Sequence, residues 1–550
     1  MNKFFKYIMC AAVLLMMSGL SSCVNDLDVE PIDPALQSDV TAEQIFNKCY
    51  SVFATSGHNG GDDAKDIDKI SDAGFTHLYR QMWNSNELTT DEAHCTWSDG
   101  GISDYNYNTY DASHSMLVGY YYRLCLGITF CNQYLDMFAD HDATMTAEIR
   151  FLRAFQFYLL TDAFGNIPFA TTISGDNPEQ YSRAQVCEFI ESELKDIIGE
   201  GESNAYTLND PKPKKYGEAG YGRVDKAAAW MLLARLYLNS EVYTGTPRWQ
   251  EAANYAKKVM DSPYKLHTEG YNVNGRQFTA YQMLFMGDNG KTDAAYEAVF
   301  PVIQDGLRTT SWGGTNFLIC STADADMHPN PYDETEVNGL YNNSAWGGNR
   351  TRPELVRLFF PNDDAPAGHA YLLAEVAEDD RALFETEGRH LNVEDESNFK
   401  YGYAVAKFNN FKCDGSKGSD ITFADSHLFY MRVAEAYLTY AEALTRLNGD
   451  VAPADAVAAI NAIRGRAHAL QRNRYTLDQS LYEWGREFYF EGRRRVDLIR
   501  FGKFGGNTGY QWQWKGGVYA GRDFEAFRNV FAIPTEDLIA NSNLIQNPGY

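Results

Sequence analysis

Apolar side chains cover nearly the whole circumference of one stretch, Glu148–Pro168 (EIRFLRAFQFYLLTDAFGNIP). A helix that is hydrophobic all round is buried among other helices. Gly165 supplies a C-terminal stop and Pro168 forbids continuation. This stretch is therefore expected to be the central helix of an α-helical framework. Helical periodicity elsewhere predicts Thr41–Thr55, opened by a Thr41-x-x-Gln44 capping box, then Ser115–Asp140, Ala184–Ile198, Val224–Asn239 and Arg248–Met260. It returns at His427–Leu447, Pro453–Ala469 and Leu477–Phe501. Gly57–Asp72 has no apolar period and reads as a loop, and Arg80–Gly101 as irregular and polar. In Val224–Asn239, Ala227, Ala228, Ala229 and Ala234 alternate with large residues, which lets a neighbouring helix come close.

Residues 265–425 differ in character: Gly, Asn, Asp and aromatics dominate and the helical period fades. So long an irregular region is either functional or disordered, and its aromatic content speaks against disorder. The predicted fold class is all-α. A framework of helix pairs of tetratricopeptide length (41–264 and 426–550) carries a loop-rich module at about 265–425, within one domain spanning 41–550. No strict 34-residue period is visible, so a pure solenoid is not expected. The turn-rich tail, FAIPTEDLIANSNLIQNPGY, is expected to dock on the body.

The N-terminus predicts a targeting segment. Lys3 and Lys6 precede an apolar run, Ile8–Leu20, of signal-peptide length and too short to span a bilayer comfortably. Leu20-Ser21-Ser22-Cys23 follows and resembles a lipoprotein cleavage box. The expectation is a signal peptide at 1–22, lipidation at Cys23, and a tether over 23–40. Asp26, Asp28 and Glu30 look like an acidic surface-export tag. Setting aside Cys10 and Cys23 leaves 7 of the 9 cysteines, an odd number without a C-x-x-C pair. Neither a disulfide framework nor a zinc ribbon is indicated, and Cys125 and Cys131 are expected to be buried small hydrophobes.

A formal net charge of −26 repels nucleic acid and anionic membrane. Aromatic content is 14%, a surplus that points to stacking surfaces. H-E-x-x-H and G-x-S-x-G are absent from the sequence. The GDNGKT of Gly287–Thr292 fails as a phosphate loop because Phe285 stands at the first glycine position. Ca²⁺-loop spacing fails around Asp62–Asp68 and Asp324–Asp326. A glycosidase requires two carboxylates, and two pairs are candidates, Glu435/Glu442 on one helix face and Glu487/Glu491 at i,i+4, yet arginines lie close to both. Arginine lowers a carboxylate pKa where a general acid needs it raised, so structural ion pairs are the expectation.

Several segments carry a resemblance. AEIRFLRAFQFYLLTDAFGNIPF, GRVDKAAAWMLLARLYLN, YMRVAEAYLTYAEAL, REFYFEGRRRVDLIRFG and the closing NPGY resemble the SusD/RagB family of outer-membrane glycan-binding lipoproteins. NELTTDEAHCTW, EVYTGT, QDGLRTTSWGGTNFLICST and WQWKGGVYAG are similar to the family's starch-binding member. The resemblance implies a non-enzymatic, cell-surface protein lipid-anchored in the outer membrane. It would sit over a SusC-type TonB-dependent transporter and hand it starch or maltooligosaccharides. It further implies a glycan site with an aromatic arc of Trp97, Trp312 and Trp346 and polar companions Asp72 and Arg80. Trp stands at 312 where Tyr is expected, and Ser98-Asp99-Gly100 replaces an expected amide. A framework Ca²⁺ is also implied, with Asp288 and Asp425 as candidate ligands, although His427 stands where a further Asp is expected. The family apart, a flat indole suits the C–H face of a sugar at small entropy cost, and the Gly-Gly after Trp312 and after Trp346 is expected to leave those rings uncovered and to permit a tight turn. Three readings stay open: an α-glucan binder, a binder of another neutral glycan, and a glycosidase or peptide-binding helical scaffold.

Overall fold

A computed structural model describes residues 40–57, 65–68, 70, 72–332, 337–340 and 345–550. The expected signal peptide, Cys23 and nearly all of the tether lie outside them. Phe46–Tyr550 forms one compact unit.

The principal helices are α1 (Ala42–Ser51), α2 (Leu78–Trp83), α3 (Ser115–Phe138), α4 (Ala143–Phe164), α5 (Arg183–Ile197), α6 (Lys226–Leu238), α7 (Trp249–Met260), α8 (Gly314–Ser321), α9 (Val433–Leu447), α10 (Ala454–Arg466), α11 (Leu477–Phe488) and α12 (Arg494–Arg500). Sheet is limited, among the described residues, to two-stranded ribbons. Two of them matter here: β1 (Ala93–Cys95) with β3 (Asn349–Thr351), and β2 (Ala298–Val302) with β4 (Leu428–Arg432), both antiparallel. The fold is helix-rich, as the periodicity predicts.

Helix α4 is the buried centre. Asp142 caps its N-terminus by accepting from Met145 N, and Gly165 ends it at φ +72°. From Thr146 to Phe164 only Arg150 escapes full burial. Phe155 packs against Phe53, Phe300 and Tyr430 at 5.8, 6.1 and 6.0 Å between ring centroids. Helices α3 and α5 flank α4, α6 packs on α7, and α7 and α10 both pack on α9. All four alanines named in α6 are buried. The C-terminal tail docks on the end of α4: Phe531 N donates to Ala163 O and Asn547 Nδ2 to Phe164 O.

Four expectations are corrected. The helix expected from His427 begins only at Val433, because Leu428–Arg432 pairs instead with β2, a strand of the 265–425 region. Leu477–Phe501 is two helices, with Phe490 and Gly492 in the left-handed region at φ +62° and +78°. The cause is a buried carboxylate: Glu87 accepts from Gly492 N (2.6 Å) and Arg493 N (2.8 Å), bonds that a continuous helix would have used internally. Residues 80–95 are not irregular and polar. Helix α2 runs into a π-helical turn at Asn84–Leu88 and then β1, and Arg80–Cys95 is buried throughout. Of the two cysteines expected inside, Cys131 is buried and Cys125 is partly exposed.

The carboxylate pairs are ion-paired, as expected. Glu487 meets Arg432 at 2.6 Å, Arg381 at 3.2 Å, and Arg466. Burial alone would raise its pKa, but these three guanidinium groups bring it down to about 2. Glu491 pairs with Arg432 and Lys407, each at 2.7 Å. Glu442 bonds Arg500 and Arg446 and accepts from Trp484 Nε1 (2.7 Å), and Glu435 meets Arg235 at 2.5 Å.

Candidate functional site

All five residues expected at the glycan site line one open cavity of about 620 Å³: Asp72, Arg80, Trp97, Trp312 and Trp346, joined by Ala73, Phe75 and Asp99. The three indoles come from three separate elements. Trp97 follows β1 and Trp346 precedes β3, so the antiparallel register Cys95↔Asn349 brings those two together. Thr96 N donates to Gly348 O (3.0 Å) and Trp97 Nε1 to Trp346 O (3.3 Å). Trp346 hangs from the end of α8: its N–H donates to Cys320 O (2.8 Å), and Gly347 N to Ala323 O (2.8 Å). Trp312 stands just before α8.

The rings form a chain. Trp97 and Trp346 are 6.1 Å apart at 50°, and Trp346 and Trp312 are 5.9 Å apart at 51°. Phe423 backs Trp312 at 4.8 Å, and Phe317 lies behind Trp97 at 6.5 Å. All three indoles are half-buried: held, but with surface left to offer. Successive tilts of about 50° give a faceted surface rather than a flat one.

Arg80 is the buried cation of the site. Its guanidinium lies over Phe75 at 4.0 Å, near Phe317 (4.9 Å) and Trp97 (5.6 Å), and Nη1 donates to Trp312 O (3.3 Å). Burial lowers its pKa to about 10, with Asp72 opposing that, so it stays charged at neutral pH. Its Nε is buried without a protein partner. Gly74 makes room for it: a Cβ there would overlap Nη1 and stand 3.0 Å from both Asp72 Oδ1 and Trp312 Cβ. Asp72 and Asp99 are exposed, so the cavity offers one guanidinium and two carboxylates around an aromatic floor.

The Gly-Gly pairs supply the expected turns but do not act by uncovering the indole that precedes them. Gly348 does not uncover Trp346 but seats Trp97, whose Cε2 and Cζ2 occupy the place of a Cβ. Gly313 packs likewise on the His77 ring. Burial, with Arg123 adding to it, lowers the His77 pKa to about 3, and the neutral ring's Nδ1 accepts from Tyr79 N at the start of α2. Gly347 and Gly314 do supply turns, at φ +57° and +58°. Phe75, Ala73 and Asp99 were missed by the sequence reading. Asp99, two residues from Trp97, was there to be found. Phe75, itself buried, carries no signal, because its place in the cavity lining is set by the 3₁₀ turn Gly74–Thr76.

Asp288 and Asp425 lie elsewhere, in a cavity of about 220 Å³ with Lys291, Asp305, Lys412 and His427. Asp425 already accepts from Gly306 N, Ser419 N and Ser419 Oγ. Asp288 accepts from Cys413 N and keeps a buried Oδ1 without a partner. His427 turns Nδ1 to Tyr221 Oη (2.7 Å), and burial lowers its pKa to about 4. Among the described residues no group of three side chains is placed to hold a metal ion. Asp288 offers one orphaned oxygen, too few for a Ca²⁺ ion that takes six or more.

A helix-rich scaffold presenting an open aromatic surface has the form of a ligand-binding protein. Comparison with known proteins gives the family. Residues 335–550 match the model of the SusD family, and 27–238 match a model described as starch-binding, associating with outer membrane. The starch-binding protein SusD of Bacteroides thetaiotaomicron is 35% identical over 588 aligned positions, spanning all of both chains. The chain belongs to the SusD family. Solved structures share the fold at lower identity. A laminarin-binding SusD-like protein has 20% identity, a TM-score of 0.63, and coverage of 92% of this chain and 99% of its own. Surface glycan-binding protein A from Bacteroides uniformis has 21% identity, a TM-score of 0.62, and coverage of 92% and 98%.

Proposed function

We propose that this protein binds α-glucan, as starch fragments or maltooligosaccharides, on the Trp97–Trp346–Trp312 surface and does no chemistry on it. The observation that carries this is the convergence of Asp72, Arg80, Trp97, Trp312 and Trp346 on one open cavity. Indoles inclined to one another suit a polymer that curves, each stacking on a C–H face while Arg80, Asp72 and Asp99 take hydroxyls. The similarity to a starch-binding relative across the whole chain supports the choice of glucan. Glu442, Glu487 and Glu491 are held below the usual carboxylate range by buried cations, where a general acid needs its pKa raised, which supports a non-enzymatic role.

On this reading the protein is lipidated at Cys23, anchored in the outer membrane facing outward, and delivers sugar to a SusC-type TonB-dependent transporter. Its successive helix pairs are tetratricopeptide-like and residues 265–425 form the module that carries Trp312 and Trp346. Cys23→Ala is expected to move the protein out of the outer-membrane fraction; unchanged fractionation would remove the anchor from the scheme.

Titration calorimetry with maltoheptaose tests the site. Binding in the micromolar to millimolar range, about −4 to −8 kcal/mol, is expected, with loss in Trp312→Ala and Trp346→Ala. Full binding in both variants would refute the assignment. A second reading, another neutral glycan, is favoured by one feature: Ser98-Asp99-Gly100 stands where the family resemblance implies an amide. Binding of a non-glucose polymer alone on a glycan array would select it.

A further inference from the structure

A second set of aromatic rings lies against the β1–β3 ribbon. His94, in β1 and three residues before Trp97, stands 6.4 Å from Trp514. Tyr107 is 5.8 Å and Tyr519 5.7 Å from the same indole. Trp514 is a bulky residue in the left-handed region, at φ +67°, a conformation that persists only where the surroundings impose it and that gathers at functional sites.

The loop that imposes it is tightly built. Trp514 N donates to Tyr519 O (3.3 Å), closing a turn in which Gly516 and Gly517 have φ +61° and +74°. Lys515 anchors it from beneath. Its buried ammonium donates to Tyr510 O (2.7 Å), Asp523 Oδ1 (2.7 Å) and Thr508 Oγ1 (3.1 Å). Trp514 Nε1 donates to Val393 O (2.8 Å), fixing the ring. The half-buried indole is thus presented together with Tyr519 and Val518, which are 39% and 37% exposed. Gln513 Nε2 donates to Tyr519 Oη (3.1 Å) and to Asn392 Oδ1 (2.9 Å). The Tyr519 hydroxyl, having accepted there, keeps its own hydrogen to donate outward. Glu394 and Asp395 are exposed nearby in sequence to Asn392 and repel polyanions.

We propose that the Trp514–Tyr519 loop is an accessory carbohydrate-contacting surface that takes the apolar face of a sugar in a long neutral polysaccharide. This rests on the glycan-binding reading of Trp97, Trp312 and Trp346. The ligand class follows from the chemistry: aromatic faces for the C–H side of a sugar ring, with a hydroxyl free to donate and an amide for its hydroxyl rim. Two weak contacts on one polymer multiply, so the loop would matter for chains long enough to reach both surfaces and not for short ones.

The test compares amylopectin retention in affinity gel electrophoresis with maltoheptaose titration, for wild type, Trp514→Gly and Tyr519→Ala. Glycine adopts φ +67° without strain, so Trp514→Gly removes the ring and keeps the turn. Each variant is expected to hold amylopectin on the order of tenfold more weakly, with maltoheptaose affinity unchanged. Unaltered amylopectin retention in both variants overturns the proposal. So does a matching loss of maltoheptaose affinity, which would mean the loop acts by shaping the first site. A wild-type protein that does not bind maltoheptaose sinks the earlier reading instead.

Discussion

Gly348→Ala should damage ligand binding without touching a ligand contact. A Cβ at position 348 would overlap Cε2 and Cζ2 of Trp97 and stand 2.7 Å from its Nε1, where ordinary contact begins at 3.4 Å. The backbone there is pinned on both sides, by Gly348 N to Ser321 O (3.0 Å) and Thr96 N to Gly348 O (3.0 Å), so the indole must yield. A retreat of roughly 1 Å forfeits a quarter to a half of each close contact it makes. It also breaks Trp97 Nε1 to Trp346 O, a bond worth about 0.5–1.5 kcal/mol. Added to about 1–3 kcal/mol of overpacking, the expected loss of unfolding free energy is about 2–4 kcal/mol. Trp97 is half-exposed and can rotate outward, which places the outcome at the lower end. Affinity should suffer more visibly. Taking Trp97 out of register with Trp346 removes one of three stacking surfaces. At about 1.4 kcal/mol per tenfold, that is roughly 10- to 100-fold in maltoheptaose affinity. Calorimetry gives the affinity and urea unfolding the stability. Affinity within twofold of wild type, in a variant whose Trp97 fluorescence is unshifted, would refute the seating argument.

Three further outcomes are expected. Glu487→Ala leaves Arg432, Arg466 and Arg381 facing a buried hole and should lose about 3–5 kcal/mol of stability. A loss under about 1 kcal/mol by urea unfolding would mean the network is not structural. His77→Asn tests acid sensitivity. The folded His77 stays neutral down to about pH 3, whereas the unfolded ring binds a proton below its ordinary 6.5, so this residue makes stability fall as pH drops through that window. At about 1.4 kcal/mol per pH unit, the variant should lose roughly 1–2 kcal/mol less than wild type between pH 7 and pH 5; equal slopes would contradict it. Phe490→Gly removes a left-handed strain but also a buried ring that packs on Trp83 at 5.4 Å, and should destabilise by about 3 kcal/mol net; a stabilised variant would show that the ring contributes little.

Local sequence determined the helices. The all-round apolar surface of Ala143–Phe164, its Asp142 cap and its Gly165 stop are local facts, and the helix follows from them wherever it is placed. The triplet of indoles was legible only through family resemblance, since nothing in the residues around Trp97, Trp312 and Trp346 says that positions 97 and 346 meet. That was decided by the β1–β3 register and by the missing side chain of Gly348. Tertiary contacts also overruled local preference at two places. Leu428–Arg432 has helical neighbours but pairs with Ala298–Val302, because a strand satisfies its backbone there. Leu477–Phe501 is broken because a carboxylate more than 400 positions earlier, Glu87, claims the amides of Gly492 and Arg493. Helical periodicity is written in neighbours three and four residues apart; a binding surface assembled from residues 72 to 346 is written in which distant backbone groups satisfy one another.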